Sequence, residues 1–397
     1  MTSTPAVFPK LVLLPGKQKN IIAKHHWIFS GAVQSCEPCE AGQHVAVFAF
    51  DGQPLGFAYA SKGGSIVARM LSFSKNVTPD KAIPDLIMRA VAMRRGMFDE
   101  ATTNCWRVVH GEGDGLPGLV VDRYADVLVV QISTVGMERL KSLVVAELRK
   151  AFPGTRAVFE HSNLPSRRKE CMADFSGVLH GELPEFTSVV ENGVHFRIVW
   201  KEVQKTGFFL DQREMRKLIG SLSKGKRVLN CFSYTGGFSA YAAVAGATRV
   251  DSVDIAAGAV ELSKTNFKMN GLDPAKHGFY AEDAFKFLRE KPLSYEVVIL
   301  DPPAFAKKKE DVEQAAKGYK EINMTAMKKM PSGSLLLTCS CSYFMDEELF
   351  QNVIFQAARD ANRTVRIVQK HHLAGDHPIN VFHPEGDYLK SLLLYVE

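Results

Sequence analysis

The sequence predicts an α/β protein with a small β-rich domain over residues 1–75, a central α+β domain over 76–190 and a larger α/β domain over 191–397. The chain has 397 residues, more than one ordinary hydrophobic core holds. Short alternating apolar runs broken by glycine and proline are typical of the strands of the first part. In the last part apolar runs alternate with helical segments, which favours a largely parallel sheet with helices on both faces.

The composition is that of a globular protein. The chain is 46% hydrophobic and 23% charged, and no window approaches the run of about 18 apolar residues that a spanning helix needs. The N-terminus lacks a charged start followed by a long apolar stretch, so we expect no signal peptide, no membrane contact and a cytoplasmic location. A net charge of +6 slightly favours a polyanionic partner such as nucleic acid.

The cysteines do not follow the pattern of a disulfide framework, because the seven of them are scattered and odd in number. Cys36 and Cys39 form a C-x-x-C pair, but no second cysteine or histidine pair follows at the spacing of a zinc finger. We therefore expect no disulfide and no bound metal.

A basic and aromatic segment in the first domain is a candidate RNA-binding surface. The stretch "GKQKNIIAKHHWIFSGAV" interleaves lysines and histidines with Trp27 and Phe29, a mixture that suits phosphate contacts and stacking on bases. The candidate contacts are Lys17, Lys19, His26 and Trp27. The alternative is a solvated helix whose tryptophan belongs to the core.

The central domain is expected to mix helices and strands without chemistry of its own. Apolar residues at helical spacing predict a helix over residues 84–98, and two apolar runs predict strands over 119–121 and 127–132. The stretch "SNLPSRRKE", Ser162 to Glu170, is interpreted as a basic, exposed loop.

Ligands of parallel α/β sheets bind at the carboxyl ends of the strands, so the residues that follow each strand of the last domain are the candidate site. After the first strand comes "NCFSYTGGFSAYAA", in which a glycine turn leads into a helix. This is neither a G-x-G-x-x-G fingerprint nor a phosphate-binding loop. Its candidate cofactor contacts are Asn230, Phe232, Tyr234, Gly236 and Gly237.

Acidic residues follow the next three strands. Asp254 comes about 20 residues after the glycine turn, the distance at which a carboxylate meets ribose hydroxyls, and Asp283 is placed to meet an adenine amino group. The fourth strand ends in "LDPPAF", which contains Asp301 and Pro302. Together these features indicate S-adenosylmethionine as the cofactor, although each acid taken singly could be a helix N-cap.

Several motifs resemble those of the bacterial large-subunit (23S) ribosomal RNA methyltransferases that form 5-methylcytosine and carry an N-terminal PUA domain. They are "VQKTGFFLDQREMR", "VLNCFSYTGGFS", "LDPPAF", "GYKEINM", "TCSCS", "HPEGDYLK", the opening stretch "PGKQKNIIAKHHWIFSGAV" and "GEGDGLPGLVVDRY". The resemblance covers nearly the whole chain. It implies a PUA domain, a central domain and a Rossmann-like class I methyltransferase domain, with S-adenosylmethionine as cofactor and large-subunit ribosomal RNA as partner. A homodimer is a further hypothesis.

The implied reaction needs a nucleophilic cysteine, because carbon 5 of cytosine must be activated by a thiolate that adds at carbon 6. Amine methylation needs no thiol and commonly uses an aromatic residue after Asp-Pro-Pro to stack on a flipped base. Here Ala304 takes that place and Phe305 follows, which favours the carbon chemistry. Related RNA enzymes have a second cysteine at this position, so its absence predicts a mechanism with one cysteine.

The candidate nucleophile lies in "LLLTCSCSYF". Cys339 and Cys341 point the same way along an extended strand, but Cys341 lies further out of the sheet, and the family pattern Ser-Cys-Ser matches residues 340–342. We therefore predict Cys341 as the catalytic nucleophile and Cys339 as a buried bystander, with Asp301 holding the cytosine edge. The helix that starts near "FMDEELF" is a candidate for activating the thiol.

The remaining candidates come from two flanking segments. Phe209, Asp211 and Arg213 are expected to line the cofactor pocket, and Lys307 and Lys308 to hold RNA phosphate. Two alternative functions stay open: methylation of another ribosomal RNA position such as a guanine nitrogen, and a non-catalytic RNA-binding role in ribosome assembly.

Overall fold

The computed structural model describes residues 8–61, 63–201, 203 and 205–397 and divides the chain into two compact units. The first unit runs to Val189 and also contains Ile198–Leu210 and Gly375–Gly386. The second contains Val190–Arg197, Asp211–Ala374 and Asp387–Glu397. The division into three domains at residues 75 and 190 stays a prediction.

The first unit begins with a six-stranded sheet in the order β2-β6-β5-β4-β1-β3. Apolar side chains alternate along these strands, as the sequence predicts, and pack into one core. Its elements are β1 (Lys10–Leu13), α1 (Gln18–Ile22), β2 (Trp27–Phe29), β3 (Val33–Cys36), β4 (His44–Phe48), β5 (Pro54–Ala60) and β6 (Ile66–Ser72).

A second sheet of five strands follows in the order β11-β10-β9-β8-β7. It is antiparallel except between β9 and β10, and its apolar residues share a core with two helices, α2 and α4. The elements are α2 (Pro79–Arg95), β7 (Cys105–His110), β8 (Leu119–Tyr124), β9 (Val127–Ile132), α3 (Val135–Arg139), α4 (Lys141–Ala151), β10 (Ala157–Ser162), α5 (Pro165–Lys169) and β11 (Phe175–Gly181). A separate pair, β12 (Phe186–Glu191) and β13 (Val194–Val199), comes next.

The predicted basic loop at residues 162–170 is wrong. The segment forms the short helix α5, and Arg167 on it is buried. Its guanidinium lies 3.0 Å from Glu138 Oε2 and donates to the carbonyl of Ile132 at 2.8 Å. The side chain is therefore part of the packed interior, because these acceptors satisfy its charge and donors.

The second unit holds a seven-stranded sheet in the order β16-β15-β14-β17-β18-β20-β19. Six of the seven strands run in the same direction, which makes the sheet largely parallel, as predicted, whereas β20 runs antiparallel to both of its neighbours. The elements are α6 (Arg213–Leu222), β14 (Arg227–Cys231), α7 (Gly237–Val244), β15 (Arg249–Asp254), α8 (Ala257–Met269), β16 (Gly278–Ala281), α9 (Ala284–Glu290), β17 (Val297–Leu300), α10 (Val312–Lys329), β18 (Ser334–Ser340), α11 (Glu347–Ala361), β19 (Val365–His371) and β20 (Lys390–Val396).

The apolar strands β17 and β18 are buried along almost their whole length, as expected for the centre of a sheet covered on both faces. Their carboxyl ends, with those of β14, β15 and β16, lie at one edge of the sheet. Among the described residues, no helix is both long and apolar enough to span a bilayer.

Candidate active site

The loop between β14 and α7 has an unusual backbone. Phe232 and Tyr234 have φ angles of 60° and 47°, and Gly236 has 78°. Left-handed residues other than glycine cost free energy and concentrate at ligand sites. A Cβ on Gly236 would lie 2.0 Å from Ser263 Oγ, so only glycine fits there. With Asn230 before it and Gly237 opening α7, this loop contains all the residues predicted from the first strand end.

The Asp254 carboxylate at the end of β15 holds this loop in place. Oδ2 accepts a hydrogen bond from the amide of Tyr234 at 2.7 Å, and Oδ1 accepts from the amide of Ala256 at 2.9 Å. The side chain is half-buried, and a carboxylate oxygen accepts more than one hydrogen bond. Ribose hydroxyls can therefore bind to the same carboxylate.

Buried polar atoms near the loop support the fit of a polar cofactor. Most buried polar groups have hydrogen-bond partners. In the described part of the chain, several side-chain oxygens here have none: Gln212 Oε1, Asn230 Oδ1, Ser233 Oγ and Ser263 Oγ. Together with the Asp254 carboxylate and the closely approachable backbone, they match the hydroxyl, amino and carboxylate groups of S-adenosylmethionine.

Asp283 follows β16, as predicted, and its side chain caps a helix. It is exposed, and Oδ1 accepts a hydrogen bond from the amide of Lys286 at 2.8 Å in the first turn of α9. This is the N-cap alternative noted for each acid. The adenine contact stays a prediction.

Asp301 and Pro302 lie at the end of β17, beside the candidate nucleophile. Gln212 Nε2 donates to Asp301 Oδ1 at 3.0 Å, which fixes the half-buried carboxylate. Cys341 Sγ lies 3.9 Å from the carbonyl oxygen of Pro302. The structure thus brings Cys341 to the Asp-Pro-Pro segment that begins with Asp301 and is distant from it in sequence.

Two serines fix the strand end on either side of Cys341. Ser340 Oγ and Ser342 Oγ both lie 3.1 Å from the hydroxyl of Tyr319, and Ser342 Oγ also accepts from the amide of Ala306 at 3.2 Å. The bond to Ala306 ties the Asp-Pro-Pro loop to the end of β18. The serines therefore have a positioning role. Within β18, Cys339 points to the face opposite Ser340.

The two cysteines differ in burial. Cys339 is fully buried, and burial together with the charge of Asp301 raises the pKa of its thiol well above the ordinary value. Cys341 is half-buried. A thiol that is buried and hard to ionise is a poor nucleophile, so the geometry favours Cys341.

Sequence reasoning missed Lys390, whose amine lies at the same strand end. The residue is buried, and its Nζ donates to the carbonyl of Ser342 at 2.7 Å and to that of Tyr388 at 2.8 Å. Burial lowers the pKa of Lys390 below its ordinary value, and the nearby Asp387, Cys341 and Asp346 offset this only in part. Lys390 belongs to the quoted motif "HPEGDYLK", but only the strand register connects it with the cysteine.

Two predicted cofactor contacts, Asp211 and Arg213, are buried in polar networks of the second unit. Asp211 Oδ2 accepts a hydrogen bond from the hydroxyl of Tyr388 at 2.6 Å, and Arg213 Nε lies 3.2 Å from Glu191 Oε2. Phe209 belongs to the first unit, where the ammonium of Lys205 lies 4.8 Å from its ring centroid. Contact of these three residues with the cofactor stays a prediction.

The predicted RNA contacts of the first unit differ in exposure. Lys17 and Lys19 are exposed. His26 is only 4% exposed, with Nδ1 3.0 Å from the carbonyl of Met70, and Trp27 donates its indole N–H to Glu112 at 2.8 Å. RNA contact stays a prediction for all four. Only the two lysines are exposed enough to contact RNA without a rearrangement.

His26 also lines a cavity of about 410 Å³ in the first unit. Lys24, Arg89, Phe73 and Phe382 are among the other lining residues.

Lys307 and Lys308, the predicted phosphate contacts of the second unit, are exposed in the loop after β17.

A cluster of His25, His383 and Glu385 in the first unit has ligand atoms within 4.8 Å of one another. His25 Nδ1 accepts a hydrogen bond from the amide of Trp27 at 3.2 Å. The ring proton is therefore on Nε2, which lies 3.2 Å from Glu385 Oε1. This hydrogen bond accounts for two members of the cluster, whereas His383 Nδ1 and Glu385 Oε2 have no hydrogen-bond partner in the described part of the chain. The absence of a bound metal stays a prediction.

Replacing Asp254 with alanine is expected to weaken binding of S-adenosylmethionine at least about tenfold, because it removes a charged acceptor and releases the Tyr234 amide. Calorimetric titration measures the affinity. Asp273→Ala is the matched control, since this exposed aspartate also accepts from the amide two residues on, that of Ala275, outside the site. Equal affinity in both variants would contradict the role of Asp254.

Comparisons with known proteins identify the family of the chain. A family described as S-adenosylmethionine-dependent methyltransferase matches residues 107–378, and one described as a PUA-like domain matches residues 11–73. Relatives named ribosomal RNA large subunit methyltransferase I are 41% identical in Shewanella denitrificans and 39% identical in Aeromonas salmonicida. The alignments cover 98% and 97% of this chain, and 99% and 98% of the relatives.

Two solved structures resemble the whole chain. One, described as a methyltransferase complexed with SAH, has a TM-score of 0.84, and one described as a SAM-dependent methyltransferase from Streptococcus mutans has 0.82. Both are 26% identical and cover 97% of this chain and 99% of their own. The predicted fold class, with a PUA-like domain before a Rossmann-like methyltransferase domain, and the predicted cofactor S-adenosylmethionine are confirmed.

Proposed function

Because the chain belongs to the ribosomal RNA large subunit methyltransferase I family, we propose that it methylates carbon 5 of a cytosine in large-subunit ribosomal RNA. The observation that supports this most is the half-buried thiol of Cys341 at the end of β18. It lies 3.9 Å from the carbonyl of Pro302, in the segment that also contains the fixed carboxylate of Asp301. A nucleophile at this position suits a reaction in which a nucleobase must be activated through a covalent bond to the protein.

Carbon 5 of cytosine is a weak nucleophile, and Cys341 makes it a stronger one. The thiolate adds to carbon 6, so that an S–C6 bond forms and the electron pair of the C5–C6 double bond becomes available at carbon 5. Bound S-adenosylmethionine would supply an electrophilic methyl group, which carbon 5 would take as the bond between the methyl carbon and the sulfonium sulfur breaks and S-adenosylhomocysteine leaves. A general base then removes the proton from carbon 5. The S–C6 bond breaks, which restores the C5–C6 double bond and regenerates the thiolate.

Asp301 is assigned to the cytosine edge. Its carboxylate accepts from Gln212 and is held beside the thiol, so that it can accept a hydrogen bond from the exocyclic amino group. This contact would orient the ring for attack at carbon 6.

The position of Phe305 argues against methylation of an exocyclic amine. Its ring packs against Tyr319, with centroids 4.6 Å apart, and against Phe285 at 5.9 Å. The aromatic residue nearest the Asp-Pro-Pro segment thus faces the protein core, and it is not the stacking platform that amine methylation commonly uses.

A ribosomal RNA transcript in which 5-fluorocytidine replaces cytidine tests the proposal. Fluorine cannot leave carbon 5 as a cation, so incubation with S-adenosylmethionine is expected to trap a covalent protein–RNA complex that survives denaturing electrophoresis. Cys341→Ala should form no complex, whereas Cys339→Ala should. Methyl transfer to a guanine nitrogen without a trapped complex would contradict the proposal in favour of nitrogen methylation. Normal RNA binding without any methyl transfer would favour an assembly role.

A further inference from the structure

We propose that the ammonium group of Lys390 is the charge that holds Cys341 as a thiolate in the resting protein. This inference rests on the proposed function, which requires an ionised nucleophile. An ordinary cysteine is mostly protonated at neutral pH, and a nearby cation is one of the ways by which proteins ionise it. Lys390 would therefore be a positioning residue, acting on the substrate through the sulfur.

The strand register brings Lys390 to the cysteine. β20 pairs antiparallel with β18, and Lys390 lies opposite Ser340, the residue before Cys341. Its Nζ donates at 2.7 Å to the carbonyl of Ser342, the residue after Cys341. The ammonium is thus bonded to the backbone directly after the reactive thiol, and the start of β20 is paired with the residue directly before it.

The bonds of Lys390 leave its charge without a close counter-ion. Lysine is almost never fully buried unless it is paired, because burying an ammonium in protein is costly. Lys390 is 5% exposed, yet both of its acceptors are neutral carbonyl groups. Over the described ranges of the chain, no carboxylate oxygen lies within 4.0 Å of its Nζ. A thiolate at Cys341 would supply the missing negative charge.

Among the described residues, one of its N–H groups also has no acceptor. An ammonium has three donors, and two of them are used by the carbonyls of Ser342 and Tyr388. The third is available for the sulfur or for the anion that develops on the base.

The other charged groups around the thiol do not favour its ionisation. Asp301 raises the pKa of the neighbouring Cys339, and Asp387 and Asp346 act on Lys390. Carboxylates near a thiol disfavour a further negative charge, whereas the ammonium of Lys390 favours it.

The helix dipole is a weaker source of activation than the sequence suggests. The first turn of α11 is capped by the side chain of Asp346, which accepts from the amide of Leu349 at 2.8 Å, and it contains Glu347 and Glu348. These acids offset the partial positive charge of the helix N-terminus. The attraction between Lys390 and Cys341 acts in both directions, so a thiolate that favours the ammonium is itself favoured by it.

Alkylation of Cys341 by iodoacetamide, followed by mass spectrometry of the peptide that contains it, tests the inference without RNA. An opposite charge close by shifts a pKa by about 1 to 3 units. In Lys390→Met, the rate of Cys341 alkylation at pH 7 is therefore expected to fall at least about tenfold. The pH at which this rate is half-maximal is expected to rise. Lys390→Arg should keep a midpoint near that of the native protein. Lys370→Met, which removes an exposed lysine from β19, is the matched control.

An unchanged midpoint in Lys390→Met would overturn the inference. If that variant does not fold, as judged by thermal unfolding and by binding of S-adenosylhomocysteine, the pH midpoint of Cys341 alkylation in the native protein is the deciding measurement. A midpoint for Cys341 at or above about 8.5, the ordinary value for cysteine, would overturn it as well. In the folded variant, methyl transfer should recover as the pH rises, which a purely structural role would not produce. The two proposals can fail separately. If no covalent complex forms with fluorocytidine RNA but the pH midpoint of Cys341 alkylation is low, the proposed reaction is rejected and this inference stands.

Discussion

Replacing Cys341 with alanine is expected to lower the rate of methyl transfer by at least about 10³-fold, as removal of a covalent nucleophile does in other enzymes. The smaller side chain leaves the loop around Gly236 and Asp254 untouched, so binding of S-adenosylmethionine should stay normal. Labelled methyl incorporation into ribosomal RNA measures the first quantity, and calorimetry measures the second.

Cys339→Ala is the control for this experiment. Cys339 is fully buried and behaves as a small hydrophobic residue. Its replacement should cost about 1 kcal/mol of folding stability and leave most of the activity. Near-normal methyl transfer by Cys341→Ala, or loss of activity only in Cys339→Ala, would reject Cys341 as the nucleophile.

The second large effect is expected at Glu191, a fully buried carboxylate of the second unit. Arg216 donates to its two oxygens at 2.8 and 2.7 Å, Arg213 Nε lies 3.2 Å from Oε2, and the Tyr241 hydroxyl donates to Oε1 at 3.0 Å. Glu191→Leu would leave two buried guanidinium groups without this carboxylate. We expect a loss of about 3 to 5 kcal/mol in the free energy of unfolding.

Urea-induced unfolding of the intact chain measures this loss. Glu261→Leu is the matched control, because Glu261 pairs with Lys264 on the surface of α8, where the pair contributes about 0 to 1 kcal/mol. Similar stability of the two variants would show that the buried network is not a major source of stability.

Local patterns predicted most of the second unit. Strands alternate with helices from β14 to β18 because each carries a strong local signal, an apolar run followed by a polar turn. The Asp254 prediction depended on the same signal, since an acid at a strand end is visible in the sequence. The two cysteines could be ranked because burial decreases towards the strand end.

Features that depend on distant pairing could not be predicted from the sequence. The final strand was expected, but its insertion between β18 and β19 in antiparallel orientation depends on tertiary contacts. For this reason Lys390 could not be connected with Cys341. Arg167 was assigned to an exposed loop because its acidic partners, Glu138 and Glu160, come from other elements.

The position of β20 in the sheet determines how late in translation the sheet can be completed. A nascent chain that has reached residue 389 already contains the cysteine, the glycine turn and all three strand-end acids. However, β18 still has an open edge, and β19 has no partner in the sheet until Lys390–Val396 is inserted between them. If Lys390 ionises the thiol, the nucleophile stays chemically quiet during translation and becomes reactive only when the sheet closes.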